Sequence, residues 1–129
     1  MALTHVVGIV RYYDEVLVGK KISTSPKFLA GKWHIPGETI EPNETDKQAL
    51  ERGLREEAGI EVIVGRYIDS HFNEDGGEVK WYECFYVSGK VIPRSDLEDA
   101  RFINKKEVIN ICSPRASEKW PKKILDYFK

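Results

Sequence analysis

The stretch Gly37-Glu38-Thr39-Ile40-Glu41-Pro42-Asn43-Glu44-Thr45-Asp46-Lys47-Gln48-Ala49-Leu50-Glu51-Arg52-Gly53-Leu54-Arg55-Glu56-Glu57-Ala58-Gly59-Ile60 decides how this chain folds. Thr45 is a good helix N-cap, and Gln48 three residues on completes a capping box. Ala49, Leu50, Gly53, Leu54 and Ala58 then form a small and apolar stripe at helical spacing. Gly59 is placed to end the helix. The segment therefore reads as an acidic loop over Glu38–Asn43, a helix, and a stop.

Charge is concentrated here. Seven of the chain's 21 acids lie in this stretch, against only Lys47, Arg52 and Arg55. Residues three and four apart share a helix face, so 53, 56 and 57 lie together. Glu56 and Glu57 thus leave the last helical turn as neighbouring carboxylates, where the negative end of the helix dipole adds to their repulsion. A solvated Glu-rich face is one explanation. A bound divalent cation is the other, and hard oxygen ligands select Mg²⁺, Mn²⁺ or Ca²⁺.

Outward from the helix, Leu3–Tyr13 and Val16–Ile22 read as strands joined at Asp14-Glu15 into a hairpin. Ser23–Lys32 reads as a loop anchored by Phe28 and Leu29, and Trp33-His34-Ile35 as a short apolar piece stopped by Pro36-Gly37. Downstream, Glu61–Phe72, Glu78–Gly89 and Leu97–Asn104 read as strands, and Lys105–Ile111 as a short helix. Ala116–Lys129 reads as an amphipathic helix with Trp120, Ile124, Leu125 and Phe128 on its apolar face. Strands, helix, strands and helices in this order predict a mixed α/β domain without regular βαβ alternation.

The composition sets outer bounds. At 129 residues a single domain over 1–129 is expected. A net charge of −1 gives no global pull toward nucleic acid or an anionic membrane. No apolar run reaches membrane-spanning length, and the first residues lack a signal-peptide pattern. Cys84 and Cys112 make no disulfide framework and lack metal-ligand spacing, so a reduced cytoplasmic setting is expected.

Glu44, Arg52, Leu54, Glu56, Glu57, Gly59 and Ile60 resemble the Nudix box, Gly-x5-Glu-x7-Arg-Glu-aliphatic-x-Glu-Glu-x-Gly-aliphatic, at seven of its nine specified positions. Trp33-His34-Ile35-Pro36-Gly37 is similar to the strand and Pro-Gly turn that precede the box in MutT-like members. The resemblance implies a Nudix-type α/β/α sandwich around a mixed β-sheet. It implies hydrolysis of a nucleotide pyrophosphate bond with Mg²⁺ or Mn²⁺. Glu56 and Glu57 would hold the metal, with the Gly37 carbonyl as a further ligand. Glu44 and Arg52 would form a supporting ion pair. The substrate would be a nucleoside triphosphate, cleaved to monophosphate and pyrophosphate, or else ADP-ribose or another nucleotide sugar. The partners implied are a small-molecule nucleotide and at most a second copy of the chain.

Two positions depart from the pattern: Glu38 stands where Gly is usual, and Gly53 where Glu is usual. In similar enzymes the missing Glu binds metal or acts as base. Glu38 or Glu98 could replace it, a water polarised by the metal could need no base there, or the chain could be a nucleotide-binding module with weakened catalysis. Attack at a sugar carbon is a further chemistry for such a scaffold. Candidate substrate contacts are Arg11, Lys20, Lys21 and Lys32 for phosphates and Trp33 and Phe72, among other aromatics such as Trp81, for the base. His34 and His71 are candidates for catalysis or for hydrogen bonding the substrate, or are structural. Ser113–Ser117 either covers the pocket or simply caps a helix.

Overall fold

The computed structural model describes residues 3–26 and 29–129; Phe28, expected to anchor a loop, lies outside them. Strands β1 (His5–Tyr12), β2 (Glu15–Lys21), β3 (Trp33–His34) and β4 (Gly37–Thr39) precede helix α1 (Asp46–Ala58). Strands β5 (Glu61–Phe72), β6 (Glu78–Ser88) and β7 (Leu97–Asn104) follow. The C-terminal region holds a 3₁₀ turn at Lys105–Glu107 and helices α2 (Val108–Ile111), α3 (Pro114–Ser117) and α4 (Lys122–Tyr127).

All seven strands join one mixed sheet, with the order β3-β2-β1-β6-β5, β4 added to β1 and β7 added to β2. β1 runs parallel to β6 from His5 to Arg11. Its other edge is divided: β4 pairs antiparallel with residues 5–7, and β2 with Arg11 and Tyr12. The sequence placed 38–43 in a loop, but its first part is strand, because β1 leaves free edge there for Gly37–Thr39 to take. Gly37 is required at this approach, since a Cβ would lie 2.9 Å from the Val6 carbonyl oxygen.

Alternation along the strands divides the core into two layers. Val6, Val10 and Leu17 meet Leu50, Leu54 and Ala58 of α1. Ile9, Val16 and Val18 meet Val108, Trp120, Ile124 and Phe128 of the C-terminal region. The result is the expected α/β/α sandwich. Cys84 and Cys112 are buried in different layers, unbridged, and burial pushes both thiols up to about 12.

Helix α1 forms as its sequence requires. Thr45 accepts from the Gln48 backbone N–H at 3.1 Å, and the Thr45 N–H donates to the Gln48 side chain at 2.9 Å. Gly59 closes the helix at φ 71°. At its start, Tyr82 Oη donates to Asp46 at 2.5 Å and Lys80 pairs with the same carboxylate at 3.2 Å, docking the first turn on β6.

Two expectations need correction. The hairpin turn is Tyr13-Asp14, one residue earlier than read, with Tyr12 and Glu15 already paired and Tyr13 at φ 55°. The helix expected over 116–129 is broken. Pro121 cannot donate the hydrogen bond that would carry the helix through, so α3 stops and α4 restarts beyond it. Trp120, Ile124 and Phe128 are nevertheless buried, so the apolar face was read correctly. No helix among the described residues is long and apolar enough to cross a membrane.

Candidate active site

A cavity of about 480 Å³ opens beside α1 and β4. Glu38 of β4 and Glu57 of the last turn of α1 supply its acidic wall, together with Lys21, Asp96 and Gly37. Trp81, His71, Asn73, Trp120 and Arg115 supply a second wall, mostly aromatic.

Glu57 is largely withdrawn from solvent. Burial, then the negative charges of Glu38 and Asp96, push its carboxyl up to about 8, with Lys21 opposing. Burial also raises Glu38, against the pull of Arg52. The two carboxyls meet at the same cavity and at the small crevice between β4 and α1. Glu56 points further outward, with 57% of its side chain exposed, and lies 3.3 Å from Arg52 Nη1.

Arg52 organises the loop. Its Nε donates to Glu44 Oε2 at 2.7 Å, and its Nη2 donates to Glu44 Oε1 at 2.9 Å and to the Thr39 carbonyl at 3.0 Å. This fork holds Glu44 at about 2, far below the usual carboxylate range. Arg52 Nη1 also lies 3.6 Å from both Glu38 and Glu41. One guanidinium thus balances four acids from β4, the following loop and α1.

Other sequence candidates lie apart from the cavity. Glu98 accepts from the Ser23 backbone N–H at 2.9 Å and from Ser23 Oγ at 3.0 Å, and pairs with Lys20. These Ser23 bonds lower its carboxyl and hold it away from the acidic wall. Arg11 donates to the Tyr13 carbonyl and to Tyr127, bracing the hairpin turn. Trp33 lies under the Arg101 guanidinium at 5.0 Å. Lys32 and Phe72 are exposed and do not line the cavity.

Both candidate histidines do line it. Burial, then Lys21, lowers His34 to about 4. Trp81 Nε1 donates to His71 Nδ1 at 3.3 Å, which fixes the unprotonated nitrogen of a ring that burial also keeps neutral. Asp96 was missed in sequence, masked by its neighbours Glu98 and Asp99. Arg115 and Ala116 border the cavity, while Ser113 Oγ accepts from the Arg115 N–H and caps α3. The 113–117 stretch therefore caps a helix and borders the cavity.

The donor set fits a hard divalent cation. Glu38 and Glu57 bring oxygen donors together in a half-buried place, where burial raises both carboxyls and the charge of Glu38 raises Glu57 further, a cost that a cation would relieve. Among the described residues no three acidic, His or Cys side chains form a ready-made cage. Mg²⁺ does not need one, since it commonly takes one or two carboxylates and keeps its waters.

Known proteins carry the same architecture. The CTP pyrophosphohydrolase of Escherichia coli is 30% identical over 116 residues, 90% of this chain and 79% of that protein. The NAD-capped RNA hydrolase NudC of Pseudomonas aeruginosa is 32% identical over 93 residues, 70% of this chain but only 32% of that longer protein. In fold, a NUDIX hydrolase from Nitrosomonas europaea superimposes with a TM-score of 0.80 at 19% identity, over 97% of this chain and 71% of that one. The NUDIX domain pattern itself runs from residue 3 to residue 128, through both core layers and the acidic wall, and the chain belongs to that family.

Proposed function

We propose that this chain hydrolyses the pyrophosphate bond of a nucleoside triphosphate, with Mg²⁺ or Mn²⁺, giving the monophosphate and pyrophosphate. The observation that carries this reading is the shared cavity: the Glu38–Glu57 pair forms one wall, and Trp81, Trp120 and His71 contribute another. A phosphate chain and a base need those two environments in one cleft. The E. coli relative is a CTP pyrophosphohydrolase, which supports a triphosphate over a nucleotide sugar.

In this reading Glu56, Glu57 and the Gly37 carbonyl hold the metal. When bound, it offsets phosphate charge and polarises the attacking water. The chain's own residues do the rest. Arg52 holds the acidic loop against α1, Lys21 adds positive charge at the acidic wall, and the tryptophans exclude water around the base. The water oxygen bonds to phosphorus as the bridging P–O bond breaks, and its proton passes to a carboxylate of the acidic wall.

A panel of nucleoside triphosphates, ADP-ribose and other nucleotide sugars, incubated with Mg²⁺ or Mn²⁺ and read by mass spectrometry, tests this. Release of a nucleoside monophosphate and pyrophosphate from a triphosphate is the expected result. No monophosphate from any member of the panel overturns it.

A further inference from the structure

Glu38 and Gly53 are in contact. A Cβ built on Gly53 would stand 2.9 Å from Glu38 Oε2, 3.0 Å from its Cβ and 3.1 Å from its Cγ. The conflict therefore runs along the whole Glu38 side chain, not only at its mobile tip. Gly53 is buried in the middle of α1, where glycine costs roughly 1 kcal/mol relative to alanine. Helix propensity gives no reason for glycine there. Space for Glu38 does.

We infer that Glu38 and Gly53 are a matched pair: the bare helix face at 53 seats Glu38 across α1, and Glu38 there acts with Glu57 as a carboxylate holding the divalent metal. β4 delivers Glu38 to this place through its pairing with β1, where Val6 is its partner. The small crevice between strand and helix is bounded by Glu38, Gly53, Leu54 and Glu57. A side chain at 53 would run into Glu38 where it lies, so a carboxylate can stand here from 38 or from 53 but not from both. This rests on the metal-dependent reading above and adds the residue pair that completes the site.

Mn²⁺ binding, followed by electron paramagnetic resonance without nucleotide, tests the pair directly, with circular dichroism and thermal melting to verify folding. Glu38→Gln is expected to weaken Mn²⁺ binding about tenfold or more. Gly53→Ala is expected to weaken it comparably, although it removes no charge and favours the helix, because its Cβ unseats Glu38. Glu38→Gly is expected to bind weakly, and Glu38→Gly/Gly53→Glu to return within about threefold of the wild type, since Glu at 53 enters the vacated crevice. Wild-type Mn²⁺ affinity in Glu38→Gln or in Gly53→Ala overturns the inference. So does a folded double variant no better than Glu38→Gly. A wild-type protein that neither binds Mn²⁺ nor releases monophosphate defeats the underlying reading instead.

Discussion

Arg52 grips Glu44 through two hydrogen bonds, Nε to Oε2 at 2.7 Å and Nη2 to Oε1 at 2.9 Å, while its remaining nitrogen faces Glu38, Glu41 and Glu56. The pair fixes where β4 and the loop after it sit on α1, and so where Glu38 meets Glu57. Lysine would keep the charge but not the fork. Arg52→Lys is therefore expected to lower kcat/KM about tenfold, with a smaller effect on thermal stability. Steady-state kinetics beside a thermal melt separate the two. Equal losses in activity and stability would mean that Arg52 serves only to hold the fold.

Glu57 and Glu98 should behave very differently when each is changed to Gln. Glu57 lines the cavity beside Glu38, whereas Glu98 is engaged by Ser23 and Lys20 outside it. Glu57→Gln should reduce kcat by about a thousandfold, the scale of losing a transition-state contact. Glu98→Gln should stay within about threefold of the wild type. A large kcat loss for Glu98→Gln would show that Glu98 leaves Ser23 and joins the reaction.

His34 makes stability depend on pH. Its folded value of about 4 lies below the ordinary 6.5, so the native state keeps the ring neutral. Between these values the unfolded chain binds a proton that the folded chain refuses. Stability is thus complete above pH 6.5 and falls as pH drops toward 4. The ring is not wholly shielded, so the loss by pH 4.5 is expected to be about 2 kcal/mol. Urea unfolding at pH 7 and pH 4.5 should show His34→Gln losing about that much less than the wild type. Parallel losses in the two proteins would contradict a neutral buried ring.

The elements read most accurately from sequence were those with local signals. The Thr45–Gln48 capping box and Gly59 bounded α1, and β-rich runs bounded β5 and β7. The Arg52–Glu44 pair followed from the family resemblance, and helical spacing put Glu56 and Glu57 together on the last turn of α1. What escaped depended on long-range packing. Glu38 enters a strand only because β1 has a vacant edge beside it, and it fills the room left by Gly53. These two departures look unrelated in sequence and meet across α1 in space. The substrate contacts were least legible. Arg11, Trp33 and Phe72 have suitable chemistry, but nothing local reveals that they face away from the cavity, while Asp96 gave no signal distinct from the acids around it.

Trp120 connects the C-terminal helices to the cavity. It is 8% exposed, lines the cavity, and packs edge-on against Trp81 with ring centroids 5.3 Å apart and an interplanar angle of 71°. On its other side it meets Phe128 at 5.6 Å. A base entering this part of the cavity would contact both tryptophans and change their emission. Titration of a non-hydrolysable triphosphate should therefore quench intrinsic fluorescence in the wild type. Trp120→Leu keeps an apolar side chain but removes the ring face, so the nucleotide should bind about threefold to tenfold more weakly. KM should rise with little change in kcat, because Trp120 belongs to the aromatic wall rather than the acidic one and would bind ground state and transition state alike. A fall in kcat at unchanged affinity would instead mean that the tryptophan positions the acidic wall through the sheet, and that the base binds elsewhere.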